Sequence, residues 1–219
     1  MKALSYAKAL VFLLCLGPLA RLIALGLMEE LGANPIEVVT RSTGTWAMVF
    51  LWIALAVTPL RHWTGWHVLL DVRRMIGLFS AFYALLHLTT YLWLDQFFDW
   101  VAIGHDILKR PFITLGMGAI VLMLPLAITS TDRMVRALGA RRWVALHKLT
   151  YAAAVLAACH YLWLVKRDLS QPLIYAVVLL LLLLARLPLY LKRRARRSPA
   201  RRAGAAAGST VRPATRPVA

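Results

Sequence analysis

Six histidines are the residues best able to do chemistry in this sequence of 219 residues. His62, His67 and His105 fall in polar connections between apolar blocks and read as solvated or interfacial side chains. His87, His147 and His160 fall inside apolar stretches, where a polar group is costly and usually functional. His87 stands eight residues before Asp95, the start of one polar loop, and His160 six residues before Lys166, the start of another. At 1.5 Å per helical residue, both rings lie roughly 9–12 Å below the same end of their helices. Two imidazoles at matching depth on parallel helices can grip one iron axially. Neutral imidazole is a standard axial ligand of haem iron, and a second strong ligand favours electron transfer over oxygen chemistry.

His147 precedes His160 by 13 residues, so it lies about 20 Å lower, near the opposite membrane face. That depth suggests a second redox site and an electron path from face to face. Thirteen residues is not a whole number of helical turns, so the two rings do not share one ideal face. The matching level of the other helix holds Arg74, so a second haem at His147 needs another ligand. Two other readings stand beside haem. The histidines can be hydrogen-bonded packing residues, or zinc ligands, although neither a carboxylate nor a spaced cysteine pair offers itself to complete four ligands.

The elements that must position these rings are membrane helices. The chain is 61% hydrophobic with mean hydropathy +0.68, above a soluble domain of this length. Its apolar residues form six blocks long enough to span a bilayer: about Ala9–Met28, Gly44–Leu60, Met75–Leu94, Phe112–Thr129, Trp143–Val165 and Gln171–Leu191. The expected fold is an all-α, six-helix transmembrane bundle over residues 1–191, followed by a basic, disordered cytoplasmic tail over 192–219. The first block follows Lys2 and Lys8 as a signal peptide would. Its apolar run resumes after Arg21 to full spanning length, so an uncleaved helix is expected.

The formal net charge of +17 does not point to nucleic acid. Nine of the 26 basic residues sit in the tail, and most others sit in short loops. That distribution sets topology and attracts anionic lipid. Lys2, Lys8, Arg61, Arg73, Arg74, Arg133, Arg136, Arg141, Arg142 and the tail share one side and outnumber Arg41, Lys109, Arg110, Lys166 and Arg167 on the other. Both termini are therefore expected in the cytoplasm.

Cys15 and Cys159 lie in apolar blocks and exclude a disulfide framework. Leu156 stands where covalent haem attachment through Cys-x-x-Cys-His requires the first cysteine, so any haem is held non-covalently. No Gly-x-Gly-x-x-Gly fingerprint marks a nucleotide domain. Electrons must then come from quinone or from a separate cytoplasmic reductase.

Three arginines are candidate supports. Arg21, inside the first block, needs a partner, which a haem propionate, a quinone oxygen or an acidic or carbonyl group on another helix would supply. Arg73 and Arg74, beside Asp71, either anchor the third helix at the cytoplasmic face or bind an anionic cofactor such as a flavin phosphate. Tyr91, Trp93, Trp100, Trp143, Tyr161 and Trp163 read mostly as an interfacial belt.

Several stretches resemble a known family. They are Asn34-Pro-Ile-Glu-Val-Val-Thr-Arg-Ser-Thr-Gly-Thr-Trp46, Ala56-Val-Thr-Pro-Leu-Arg61, Arg73-Arg-Met-Ile-Gly-Leu78, Tyr83-Ala-Leu-Leu-His87, Tyr91-Leu-Trp-Leu-Asp95, Lys109-Arg-Pro111, Leu126-Ala-Ile-Thr-Ser-Thr131, Arg142-Trp-Val-Ala-Leu-His147 and His160-Tyr-Leu-Trp-Leu-Val-Lys166. Together they resemble the ferric-reductase-like transmembrane proteins, in particular haem-binding membrane subunits of periplasmic methionine-sulfoxide reductase systems. The resemblance implies haem b, one or two, and a flavin mononucleotide (FMN). It implies electrons drawn from the quinone pool or a cytoplasmic flavin reductase and delivered to MsrP, a periplasmic molybdopterin enzyme that repairs oxidised methionine. It maps the family's haem histidines onto His87, His147 and His160, in a bacterial inner membrane. A self-contained haem-dependent ferric or quinone reductase is the alternative, and a non-redox scaffold the third reading.

Overall fold

The computed structural model describes the backbone of residues 2–66 and 68–208, and the side chains of 6–66, 68–188 and 191. His67 and residues 209–219 lie outside the described residues. Among the described residues every regular element is helical: α1 (Lys2–Leu27), α2 (Pro35–Thr64), α3 (Val68–Thr89), which runs on into a π-helical turn (Thr90–Asp95), α4 (Trp100–Lys109), α5 (Pro111–Ile128), α6 (Asp132–Leu146), α7 (Leu149–Leu164) and α8 (Ser170–Gly208).

Local chemistry sets the ends. The Asn34 side chain accepts from the Glu37 N–H ahead of Pro35 at the first position of α2, where a missing N–H costs nothing. Gly65 closes α2 in the left-handed conformation at φ +73°, its N–H bonded to the Arg61 carbonyl. Asp99 caps α4 through the N–H groups of Val101 and Ala102, and Thr131 caps α6 through that of Met134.

Among the described residues five helices are long and apolar enough to cross a membrane: Tyr6–Leu27, Pro35–Thr64, Val68–Asp95, Pro111–Ile128 and Ser170–Pro188. The chain is a multi-pass membrane protein. The expected fifth span is the apolar helix α7, whose 16 residues reach about 24 Å against a hydrocarbon core of roughly 30 Å. It does not begin at Trp143 as its hydropathy suggested. Trp143 to Leu146 close the separate helix α6, and the backbone turns at His147 and Lys148. The third-to-fourth connection likewise holds α4. Beyond Lys192, where composition suggested disorder, the backbone of α8 stays helical to Gly208, in keeping with the helix propensity of its Ala, Arg and Lys residues.

Residues 1–182 form one compact unit and 183–219 a second. Within the first, α2 packs chiefly on α3 and α5 chiefly on α7, giving two hairpins that meet through α3 and α5. Phe50, Ala54, Val72, Ile76, Phe79 and Tyr83 form the core of the first hairpin, and Cys15 of α1 joins it. Ala81 and Ala84 of α3 meet Met123 of α5 and Ala153 of α7 in a second cluster. Small residues let membrane helices approach closely. Tyr83, with no exposed surface, ties α1 to α3: its hydroxyl donates to the Cys15 carbonyl at 2.9 Å and accepts from the Leu19 N–H at 3.0 Å.

Candidate functional site

The hairpins bring two imidazoles together. His87 of α3 and His160 of α7 face each other with ring centroids 6.2 Å apart and planes at 72°. Each ring is held by the partner helix of its own hairpin. His87 Nδ1 lies 2.9 Å from the Thr40 carbonyl of α2, and His160 Nδ1 lies 2.6 Å from the Phe112 carbonyl of α5. A carbonyl only accepts, so each Nδ1 carries the proton and each Nε2 keeps its lone pair. Ring orientation and ligand basicity are both fixed by such a bond.

A glycine follows each anchoring carbonyl by four residues and lies under the same ring. A Cβ on Gly44 would stand 3.0 Å from His87 Nδ1 and Cε1, and one on Gly116 would stand 2.9 Å from His160 Nδ1. The two hairpins therefore repeat one arrangement: carbonyl, glycine one turn on, and a histidine laid across both. The anchors were not singled out in the sequence, because a backbone carbonyl and a missing methyl group carry no signal in hydropathy. The one available clue was a glycine in each facing apolar helix.

This donor set selects its metal. Among the described residues no group of three or more His, Cys, Asp or Glu is placed to hold an ion. Two opposed imidazoles suit a metal that brings its own in-plane ligands, as haem iron does. Two metal–nitrogen bonds of about 2 Å, plus the distance from each nitrogen to its ring centre, come to roughly 6 Å. The observed 6.2 Å leaves room for one metal atom between the rings.

His147 belongs to a different place. It caps α6 rather than sitting within α7, with Nδ1 bonded to the Trp143 carbonyl at 3.0 Å and Nε2 3.4 Å from Ser130 Oγ. Trp143 stacks on it with centroids 3.8 Å apart and 26° between planes, and the indole N–H donates to the Thr129 carbonyl at 2.9 Å. Ser130, Trp143 and His147 line a cavity of about 210 Å³ with Arg73, Arg74 and Gly77 of α3 and Met123 of α5. Arg74 also pairs with Asp132, the first residue of α6, at 2.5 Å. That guanidinium holds the Asp132 carboxyl below the usual carboxylate range.

The other candidates lie apart from both places. Arg21 is exposed on α1 rather than enclosed by the bundle, as an arginine near a helix end able to extend along its stem can be. His62 and His105 are exposed.

Five helices of membrane-crossing length and the shorter apolar helix α7 define a multi-pass membrane protein that brings two imidazoles together inside its bundle. Residues 43–158 match the family described as "Ferric reductase like transmembrane component". A protein of Rhodospirillum rubrum described as "Protein-methionine-sulfoxide reductase heme-binding subunit MsrQ" is 54% identical over 86% of this chain and 91% of its own length. Proteins of the same description from Azospira oryzae and Herminiimonas arsenicoxydans are 55% and 49% identical, over 83% and 84% of this chain and 78% and 85% of theirs. The chain belongs to the MsrQ family of heme-binding subunits, within the ferric reductase-like transmembrane components.

Proposed function

We propose that this chain holds b-type haem between His87 and His160 and passes electrons through it, across a bacterial inner membrane, to a periplasmic reductase of methionine sulfoxide. The single observation that carries the reading is the facing pair of imidazoles 6.2 Å apart, each with its Nδ1 on a main-chain carbonyl. Haem held by His87 and His160 would supply one-electron exchange between ferric and ferrous states. The chain's own part is preorganisation. The carbonyls of Thr40 and Phe112 fix the tautomers, and Gly44 and Gly116 leave the rings their space. In this reading the chain is an electron-transfer subunit, and the sulfoxide is reduced by its partner.

The likeness to MsrQ subunits supports a donor in the quinone pool or a cytoplasmic flavin reductase, and MsrP, a molybdopterin enzyme, as acceptor. Loop charge supports cytoplasmic termini. The His147 cavity, with Arg74 at its edge, is the place for a second cofactor, either another haem or FMN. In the test, purified protein is reduced and mixed with MsrP and a methionine-sulfoxide peptide. Re-oxidation of the haem spectrum only when both are present is the expected result. Re-oxidation by ferric chelates alone, with none by the reductase, would establish the self-contained reductase instead, and a colourless protein would end the redox reading.

A further inference from the structure

The two halves of the imidazole clamp match position by position, with one exception. In each, a helix carbonyl accepts the Nδ1–H of the histidine, and the glycine four residues on lies under the ring. Three residues after the carbonyl the halves differ: α2 has Thr43, and α5 has Leu115. Thr43 is buried, with 2% of its surface exposed, so its hydroxyl is kept from bulk water. That hydroxyl donates to the Val39 carbonyl at 2.8 Å and to the Thr40 carbonyl at 3.0 Å, a three-centre bond. The second of these oxygens is the one that holds His87.

A carbonyl oxygen has two lone pairs. Inside an α-helix it already accepts from the N–H four residues on. On the Phe112 carbonyl the His160 ring comes in addition. On the Thr40 carbonyl the His87 ring has to share with the Thr43 hydroxyl. Donors that draw on one oxygen weaken each other, because each polarises the same electron density. The distances run the same way: Nδ1 lies 2.6 Å from the unshared carbonyl and 2.9 Å from the shared one. A hydrogen bond at Nδ1 raises the basicity of the ring as a ligand through Nε2. His87 is therefore the weaker electron donor of the pair.

A more strongly donating ligand stabilises ferric iron more than ferrous iron, and hydrogen bonds behind the ligand are one of the levers that set a haem's potential. We propose that Thr43 is a positioning residue of the clamp: by sharing the Thr40 carbonyl it loosens that carbonyl's hold on His87, and so raises the midpoint potential of haem bound between His87 and His160. This rests on the reading that haem is held there.

The test compares full-length wild type, Thr43→Val and Thr43→Ser in detergent, each loaded with one equivalent of haem. Valine keeps the shape of threonine and removes the hydroxyl, whereas serine keeps the hydroxyl. The carbonyls of Val39 and Thr40 retain their helical donors in both variants, so no buried acceptor is orphaned. The oxidised spectrum reports whether two imidazoles hold the iron, and spectroelectrochemistry reads the midpoint potential. In Thr43→Val the two-imidazole spectrum should persist while the potential moves to a more negative value. In Thr43→Ser the potential should stay at that of wild type. Haem lost from Thr43→Val, an unmoved or more positive potential in that variant, or an equal shift in both variants would overturn the proposal. A wild type that lacks the two-imidazole spectrum would overturn the haem reading itself, and the proposal with it, before any variant is measured.

Discussion

Gly116→Ala tests the imidazole clamp at its tightest point. The added methyl group would sit 2.9 Å from His160 Nδ1 and 3.0 Å from Cε1. Reaching the 3.4 Å at which ordinary contact begins requires the ring to move by 0.5 Å. It cannot retreat freely, because Nδ1 is held by the Phe112 carbonyl at 2.6 Å. A half-ångström error is about the tolerance of a preorganised ligand site. Inserting a methyl into a packed position costs about 1–3 kcal/mol, which translates into roughly 5- to 150-fold weaker haem binding. The same substitution favours the helix by about 0.5–1 kcal/mol, so the protein itself stays folded. The assay is haem titration into haem-free protein, with the ferric spectrum reporting how much iron keeps both imidazoles. Gly17→Ala in α1, where a Cβ meets nothing within 4 Å, is the control. Wild-type affinity and spectrum in Gly116→Ala, or equal weakening in Gly17→Ala, would refute the clamp.

Three further outcomes are expected. His87→Ala or His160→Ala removes most haem absorbance, while His105→Ala, on the exposed face of α4, leaves it; equal loss in all three would discard the ligand assignment. Because the Arg74 guanidinium lowers the Asp132 pKa, the tether of α6 is fully present above the ordinary carboxylate value of 3.8 and is lost only as pH falls below it. Hydrogen exchange of α6, corrected for intrinsic rates, should then stay level down to that value and rise below it. Tyr83→Phe removes a hydroxyl standing between the Cys15 carbonyl and the Leu19 N–H, two groups that one helical turn can re-pair. The loss should be only about 1 kcal/mol in unfolding stability, and a loss of several kcal/mol would show that re-pairing fails.

Depth was legible in the sequence because loop charges mark where helices end. His87 and His160 were placed at one level by counting back from Asp95 and Lys166, and their rings do meet. For His147 the helix boundary, rather than the depth, differs from the expectation. The run Trp143-Val-Ala-Leu-His147 is apolar enough to continue the next helix, and hydropathy does not register the turn at His147–Lys148. Arg21 was expected to need a partner because it lies inside an apolar run. On a helix that presents that side outward, it is exposed. The glycine and carbonyl beneath each ring were illegible for a different reason. They act through shape and main chain, and their meaning exists only once two helices have docked.

The acceptors of both imidazole protons are carbonyls of the main chain, and this limits what heredity can adjust. No substitution deletes a peptide oxygen, so neither Thr40 nor Phe112 can be exchanged for a residue that lacks the anchor, proline apart in its effect on the helix. The electron affinity of a metal between these rings is thus shielded from drift at those two positions. Lineages needing a different operating voltage must find it in the surrounding side chains.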